Sequence, residues 1–172
     1  ATPLGGLELL LRSNVELAGR RAVVVGRSNI VGRPLSFLLM QHNASVTMCH
    51  SRSRPLENFT RDADILCAAV GVARLIKADM VKPGAVVVDF GVNFVDGEMC
   101  GDVDFESAGE VMRPGGLLVL NYVGYRTGPN SRVAASIGKT LAAAFEHVLT
   151  FEAGEAGEYG GNIFVASNAR LD

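Results

Sequence analysis

The sequence of 172 residues has no apolar stretch that approaches the ~20 residues of a membrane-spanning helix. It has no basic excess either. Sixteen lysines and arginines stand against 18 aspartates and glutamates, a net charge of −2, so there is no electrostatic footprint for nucleic acid. No polybasic run suggests an anionic membrane surface. The first residues lack a basic segment followed by an apolar core, so no secretory signal is expected; a cytoplasmic location is, with a mitochondrial one open. Cysteine is scarce. Cys49, Cys67 and Cys100 are odd in number, lie in apolar, strand-like surroundings and show no CxxC or histidine spacing for zinc. Reduced, buried thiols and no metal site are expected. A core needs neither staple, since a chain of this length buries roughly two thirds of its unfolded surface. Asn43-Ala44-Ser45 and Asn58-Phe59-Thr60 match a glycosylation pattern by chance on this reading. An initiating methionine is also missing. The chain opens at Ala1 directly in "TPLGGLELLLRSNVEL", where Thr2 and Pro3 make a good helix start, and the expectation is a piece cut where a helix leaves a preceding domain.

What is present is an alternation. A helix over about 3–13 precedes "RRAVVVG", an apolar strand ending at Gly26, and a second helix runs from Pro34 to Gln41. "ASVTMCH" and "ADILCAAVG" read as the next two strands, the latter ending at Gly71. A short helix around 77–81 leads to "GAVVVDFGVN", the fourth. Near-continuous Val/Ile/Ala runs separated by helices indicate an α/β chain whose parallel sheet is covered on both faces. Asp96-Gly97 signals a small hairpin between "NFV" and "EMCGDV". "LLVLNYV" (117–123) reads as the last core strand, and "SRVAASIGKTLAAAFEHVL" as a closing helix capped by Asn130 or Ser131. Residues 151–172 are Gly-rich and aperiodic and read as a tail behind a single domain at 1–150.

The segment "VVVGRSNIVGRP" (23–34) has the strand, glycine turn and helix start in which backbone N–H groups meet an anion. A Walker-type loop needs four residues between its glycines and then Lys-Ser or Lys-Thr. Here five separate Gly26 from Gly32 and Arg33-Pro34 follows, which excludes that nucleoside triphosphate site. The Rossmann dinucleotide fingerprint needs a second glycine where Ser28 stands. The loop is therefore a variant turn, and a purely structural turn in an unrelated α/β protein accounts for it equally well. The end of the second strand adds to the picture. NAD-selective domains usually place Asp or Glu there for the ribose 2′-hydroxyl, whereas this chain has "CHSRSRP": His50, Ser51, Arg52, Ser53 and Arg54, with no acid. Hydroxyls and guanidiniums near Arg27 suit a 2′-phosphate, which favours NADP over NAD. A solvated basic loop is the plainer alternative.

Taken together, "VVVGRSNIVGRP", "ASVTMCHSRS", "ADILCAAVG", "LIKADMVKPGAVVVDFGVN" and "GDVDFE" strongly resemble the bifunctional methylenetetrahydrofolate dehydrogenase/cyclohydrolase family, from "TPLG" at 2–5 through about Glu106. The resemblance implies a Rossmann-like doubly wound, mainly parallel sheet with helices on both faces, binding NADP, with NAD possible where phosphate and magnesium replace the 2′-phosphate. By position, Gly26, Arg27, Ser28 and Gly32 would line the cofactor phosphates, and Arg27 and Ser51 would meet the 2′-phosphate. His50 would stand beside the cofactor in a positioning role, Gly71 would let it pass close to the backbone, and Val92 and Asn93 of "GVN" would adjoin the nicotinamide end. The family is typically a homodimer joined through this domain.

Two departures mark the chain. The family's catalytic domain, with its proton-transferring lysine, precedes "TPLG" and is not in this sequence, so folate is expected to bind only with that domain and no catalytic residue is assigned here. Lys77, Lys82 and Lys139 read as surface lysines. The family's "PVPGGVGPMT" segment is replaced by "NYVGYRTGPNSRVA", with Tyr125 and Arg126 where the family backbone approaches folate and Gly128-Pro129 and Ser131 matching only its final part. Among other candidates, His42 and His147 fall in helical contexts at the surface, and Asp89, Asp102 and Asp104 read as strand-end caps and turn residues. Lys77-Ala78-Asp79 reads as a capped helix start. Three readings follow: the cofactor domain of such an enzyme, a binding module without turnover, and another Rossmann-like enzyme such as a methyltransferase. The missing acid after the second strand weighs against the last.

Overall fold

The computed structural model describes residues 2–96, 98–111, 117–125, 139, 142, 147–153 and 159–167. Helix α1 (Thr2–Arg12) precedes β1 (Arg21–Val25), α2 (Gly32–Gln41) and β2 (Ser45–Cys49). Then come α3 (Glu57–Thr60), β3 (Ile65–Ala68), a 3₁₀ turn (Ala78–Met80) and β4 (Val86–Asp89). A hairpin of β5 (Asn93–Val95) and β6 (Glu98–Cys100) leads to α4 (Phe105–Val111) and β7 (Leu117–Tyr125), and β8 (His147–Ala153) and β9 (Tyr159–Ser167) complete the order. The large sheet runs β2-β1-β3-β4-β7-β9-β8, parallel from β2 to β7 and antiparallel at β9 and β8.

Pleating explains why β1, β3 and β4 read as unbroken apolar runs. Successive side chains point to opposite faces, and both faces are covered. Ala22, Val24, Ile65, Cys67 and Val88 meet Leu7 and Leu10 of α1 and Leu35 and Leu39 of α2. Val23, Val25, Leu66, Ala68 and Val87 face the other way, onto Ile76, Val81, Val103 and Ala108 of α4. This is a doubly wound sheet. None of the described helices is long and apolar enough to cross a membrane.

Two of the expectations fail at the C-terminal end. The closing helix over 131–149 retains helical backbone at Lys139 and Ala142 among the described residues, but 147–149 open strand β8. Its cap at Asn130 or Ser131 lies outside the described residues. The expected tail contains the end of β8 and all of β9, which pairs with β7 from Leu117↔Ser167 to Tyr125↔Tyr159. Val148 of β8 packs on the core beneath the sheet. Glycine content argued against a strand locally, while a ladder to a neighbour made it one, because sheet formation depends on the partner more than on propensity. The hairpin is present in the register Asn93↔Cys100, with Asp96 at φ 53; Gly97 lies outside the described residues.

Candidate functional site

Parallel strands bring their C-terminal ends to one edge, and consecutive hydrogen bonds lock those ends side by side. Gly26 N–H donates to the Cys49 carbonyl at 2.9 Å, Ala69 N–H to Val25 at 2.8 Å and Phe90 N–H to Ala68 at 2.8 Å. The turns at 26–32, 50–54, 69–72 and 90–93 therefore leave from one rim. Strand β1 is flanked by β2 on one side and β3 on the other, so the chain reverses direction across the sheet here. A crevice outside the strand ends at such a switch point is the general ligand position in open α/β sheets.

The glycine loop is built by exclusion of side chains. Gly26 is buried at φ 127, and a Cβ there would lie 2.7 Å from the Ala69 carbonyl carbon. A Cβ on Gly32 would lie 2.6 Å from the Gly26 carbonyl carbon and 3.0 Å from the Arg27 nitrogen. Ser28 Oγ accepts from Val31 N–H at 3.1 Å and Gly32 N–H at 3.3 Å, so it caps the start of α2. Among the described residues, the N–H groups of Arg27, Ser28, Asn29 and Ile30 meet no acceptor. The donors left over are thus the four loop N–H groups, while the first turn of α2 is already satisfied.

Beside the loop, the end of β2 folds on itself. His50 N–H donates to Ser53 Oγ at 3.1 Å, Arg52 N–H to His50 Nδ1 at 3.2 Å and Arg54 Nε to the Ser51 carbonyl at 3.2 Å. With Nδ1 accepting, a neutral His50 carries its proton on Nε2. Arg33 bonds Asn29 Oδ1 at 2.9 Å. Among the described residues, Arg27, Arg33, Arg52 and Arg54 have no carboxylate partner, which leaves this rim cationic. Arg27, Ser28 and Ser51 are exposed and His50 is half-buried.

Across the crevice, Gly71 has φ 68, and a Cβ there would project into open space. Val92 is exposed and Asn93 half-buried. Behind them lie two aspartates whose site role the sequence did not disclose. Asp89 and Asp102 are fully buried. Asp89 accepts from Gly91 N–H at 2.7 Å, Asp102 N–H at 3.2 Å and Val103 N–H at 2.9 Å. Burial pushes its carboxyl up to about 7, against the pull of the Val103 and Gly91 donors and with a smaller push from Asp102. Asp102 accepts from Val70 N–H at 2.7 Å, Gly71 N–H at 2.9 Å and Asn93 Nδ2 at 2.9 Å. Reading both as caps was right about their bonds and silent about their reach. The available signal was the hairpin, which folds back to bring "GDV" beside "GVN".

The other candidates fall elsewhere. Lys82 pairs with Asp64, and the Asp64 carboxyl is held below the usual range chiefly by that lysine and by Arg21 N–H. Lys77 and Lys139 are exposed. The 3₁₀ turn is capped from α4, with Ala78 N–H donating to Ser107 Oγ at 3.3 Å; the Lys77 side chain makes no cap. His42 is exposed just after α2, and His147 is exposed in β8. Of the remodelled segment after "LLVL", 121–125 continues β7, whereas Arg126, Gly128, Pro129 and Ser131 lie outside the described residues. A hollow of about 350 Å³ lined by Arg21, Ser45, Thr47, Asn58, Phe59 and Asp62 opens over β1 and β2 away from this rim.

A doubly wound parallel sheet with a loop closed by two glycines that exclude a Cβ, four N–H groups without an acceptor among the described residues and a cationic rim at its switch point defines a dinucleotide-binding type of domain. Residues 1–115 match the family described as the tetrahydrofolate dehydrogenase/cyclohydrolase, NAD(P)-binding domain, and the chain belongs to that family. It is 60% identical over 111 residues to a bifunctional FolD protein of Desulfitobacterium hafniense, covering 64% of this chain and 39% of that one. The FolD protein of Halalkalibacterium halodurans is 58% identical over 110 residues, with 64% and 39% covered. Among solved structures, the Campylobacter jejuni FolD enzyme superposes with a TM-score of 0.63 at 43% identity, covering 64% of this chain and 39% of that one. The Trypanosoma brucei enzyme, complexed with NADP and an inhibitor, gives 0.61 at 31%, covering 83% and 49%. The chain thus spans about two fifths of the curated relatives it matches.

Proposed function

We propose that this chain is the NADP-binding half of a methylenetetrahydrofolate dehydrogenase/cyclohydrolase. The observation that carries the reading is the Gly26–Gly32 loop, whose four N–H groups have no acceptor among the described residues and which leaves the same sheet edge as an arginine-rich β2 end without an acid. In this reading Gly26 and Gly32 let the loop close up, the Arg27–Ile30 N–H groups take the pyrophosphate, and the Ser28 hydroxyl, accepting two bonds, still has its own proton to donate. Arg27 and Ser51 hold the 2′-phosphate, Arg because its planar fork bonds phosphate in two places. His50 is oriented by Arg52 N–H to present Nε2–H beside the cofactor. The open side of Gly71 gives the dinucleotide room, and Val92 and Asn93 flank its nicotinamide end. The cofactor, when bound, supplies the hydride acceptor for oxidation of the one-carbon bridge. Folate is held jointly with a catalytic domain such as the relatives' greater length allows, and the protein works in the cytoplasm as a homodimer.

Calorimetric titration with NADP, then with NAD in the presence and absence of phosphate and magnesium, tests this. Saturable NADP binding is expected. Binding of NAD only when phosphate and magnesium are present moves the assignment to NAD, and silence toward every dinucleotide overturns it. A module that binds without turnover is favoured by one observation: Tyr125, in the segment that departs from the family, is committed to strand pairing with Tyr159. Restored turnover on adding a family catalytic domain decides against that second reading.

A further inference from the structure

The turns leaving β3 and β4 are joined by one buried side chain. We propose that Asp102 is a positioning residue for the nicotinamide end of the cofactor: it clamps the Val70–Gly71 turn to the Val92–Asn93 turn and sets which way the Asn93 amide faces. The inference rests on the dinucleotide reading above and names a residue that reading does not use.

The geometry is specific. One carboxylate oxygen takes both turn donors, Val70 N–H at 2.7 Å and Gly71 N–H at 2.9 Å, while the other takes Asn93 Nδ2 at 2.9 Å. With the carboxyl oxygens accepting all three bonds, Asn93 directs its NH₂ inward. Its carbonyl oxygen, with no partner among the described residues, is left as the acceptor on a half-exposed side chain. Asp102 itself has no freedom to shift. Its N–H donates to Asp89 at 3.2 Å, its carbonyl accepts Ile76 N–H at 3.0 Å, and Gly91 lies so close that a Cβ would strike the carboxyl group. The hairpin β5–β6 carries the chain away from Asn93 and returns it to Asp102. Both walls of the nicotinamide end are thus referred to one immobile group, while the phosphate loop and the end of β2 make no bond to it.

Asp102→Asn keeps the shape and removes one acceptor, so either a turn donor is lost or the Asn93 amide reverses. NADP and adenosine 2′,5′-bisphosphate, which lacks the nicotinamide half, are titrated into wild type and variant. Expected is a fall of about tenfold in NADP affinity, the scale of one hydrogen bond to a charged group. Affinity for the bisphosphate should stay within about twofold, because its contacts lie on the far rim. Equal loss for both ligands, or no loss for either, overturns the proposal. Should Asp102→Asn fail to fold by thermal melt, Asn93→Ala decides, since it removes only the amide: selective loss of NADP supports the assignment and unselective or absent loss overturns it. A wild-type chain that binds neither ligand overturns the dinucleotide reading itself, a result distinct from a variant that retains the wild-type preference.

Discussion

Gly32 faces the carbonyl of Gly26 so closely that neither backbone leaves room for a side chain between them. The first turn of α2 is thereby seated on the loop that precedes it. Gly32→Ala would place a methyl 2.6 Å from that carbonyl carbon, against backbone on both sides. Overpacking of this kind costs about 2 kcal/mol, which for a chain of this size is a fall in Tm of roughly 4–8 °C. A thermal melt checks it, and an unchanged Tm would mean that α2 moves freely from the loop.

Arg27 has no acidic partner among the described residues, so its replacement should cost the fold little. Arg27→Ala should instead weaken NADP binding by roughly ten- to a hundredfold, the scale of one or two charge-assisted bonds, while NAD affinity changes far less. The ratio of the two affinities is the quantity to measure. A parallel loss for both cofactors would place Arg27 on the pyrophosphate.

The buried carboxyl of Asp89 gives a pH dependence of defined sign. Its folded value of about 7 lies above its ordinary 3.8, so between those limits the folded state holds a proton that the unfolded chain has released. Stability from this group is therefore full below pH ~4 and lost as pH rises toward 7, by up to ~4 kcal/mol. Asp64, held low by Lys82, acts oppositely: its contribution is present above its ordinary value and lost as pH falls below it. Urea unfolding at pH 4, 5.5 and 7 should show the decline in wild type and a flatter profile in Asp89→Asn. Equal slopes would mean that the three N–H donors keep Asp89 ionised.

Thiol accessibility separates the cysteines. Burial pushes Cys67 up to about 12 and raises Cys49, the latter partly offset by Ser53, whereas Cys100 is half-exposed on the hairpin. A maleimide at pH 8 should label Cys100 in the folded protein and reach the other two only on unfolding, since the thiolate is the reactive form. Mass analysis of the labelled peptides reads this directly.

Much of the molecule was legible in one dimension. The short β-branched and apolar runs at 22–25, 65–68 and 86–89, bounded by turn residues, read as strands buried on both faces, and those turn residues mark where the strands end. The five motifs led to the family that residues 1–115 match. The beginning of α2 came out two residues earlier than Pro34, because Gly32 already carries helical backbone above the Ser28 cap. Strands β8 and β9 are not legible in this way: "AAAFEHVL" has the composition of a helix and "YGGN" that of a loop, and the ladders from β7 to β9 and from β9 to β8 hold them extended.

The sequence alone determined the class of the sheet, the place of the glycine loop and the absence of an acid after β2, because these depend on residue type and on spacing within a single turn or strand. The tertiary structure alone decided the seven-strand order, the extended pairing of β8 (His147–Ala153) and β9 (Tyr159–Ser167), and the junction at Asp102. Each of these depends on hydrogen bonds between groups distant along the chain, such as the 31 residues between Gly71 and Asp102. Local pattern carries no record of such partners until the backbone has folded and closed the distance.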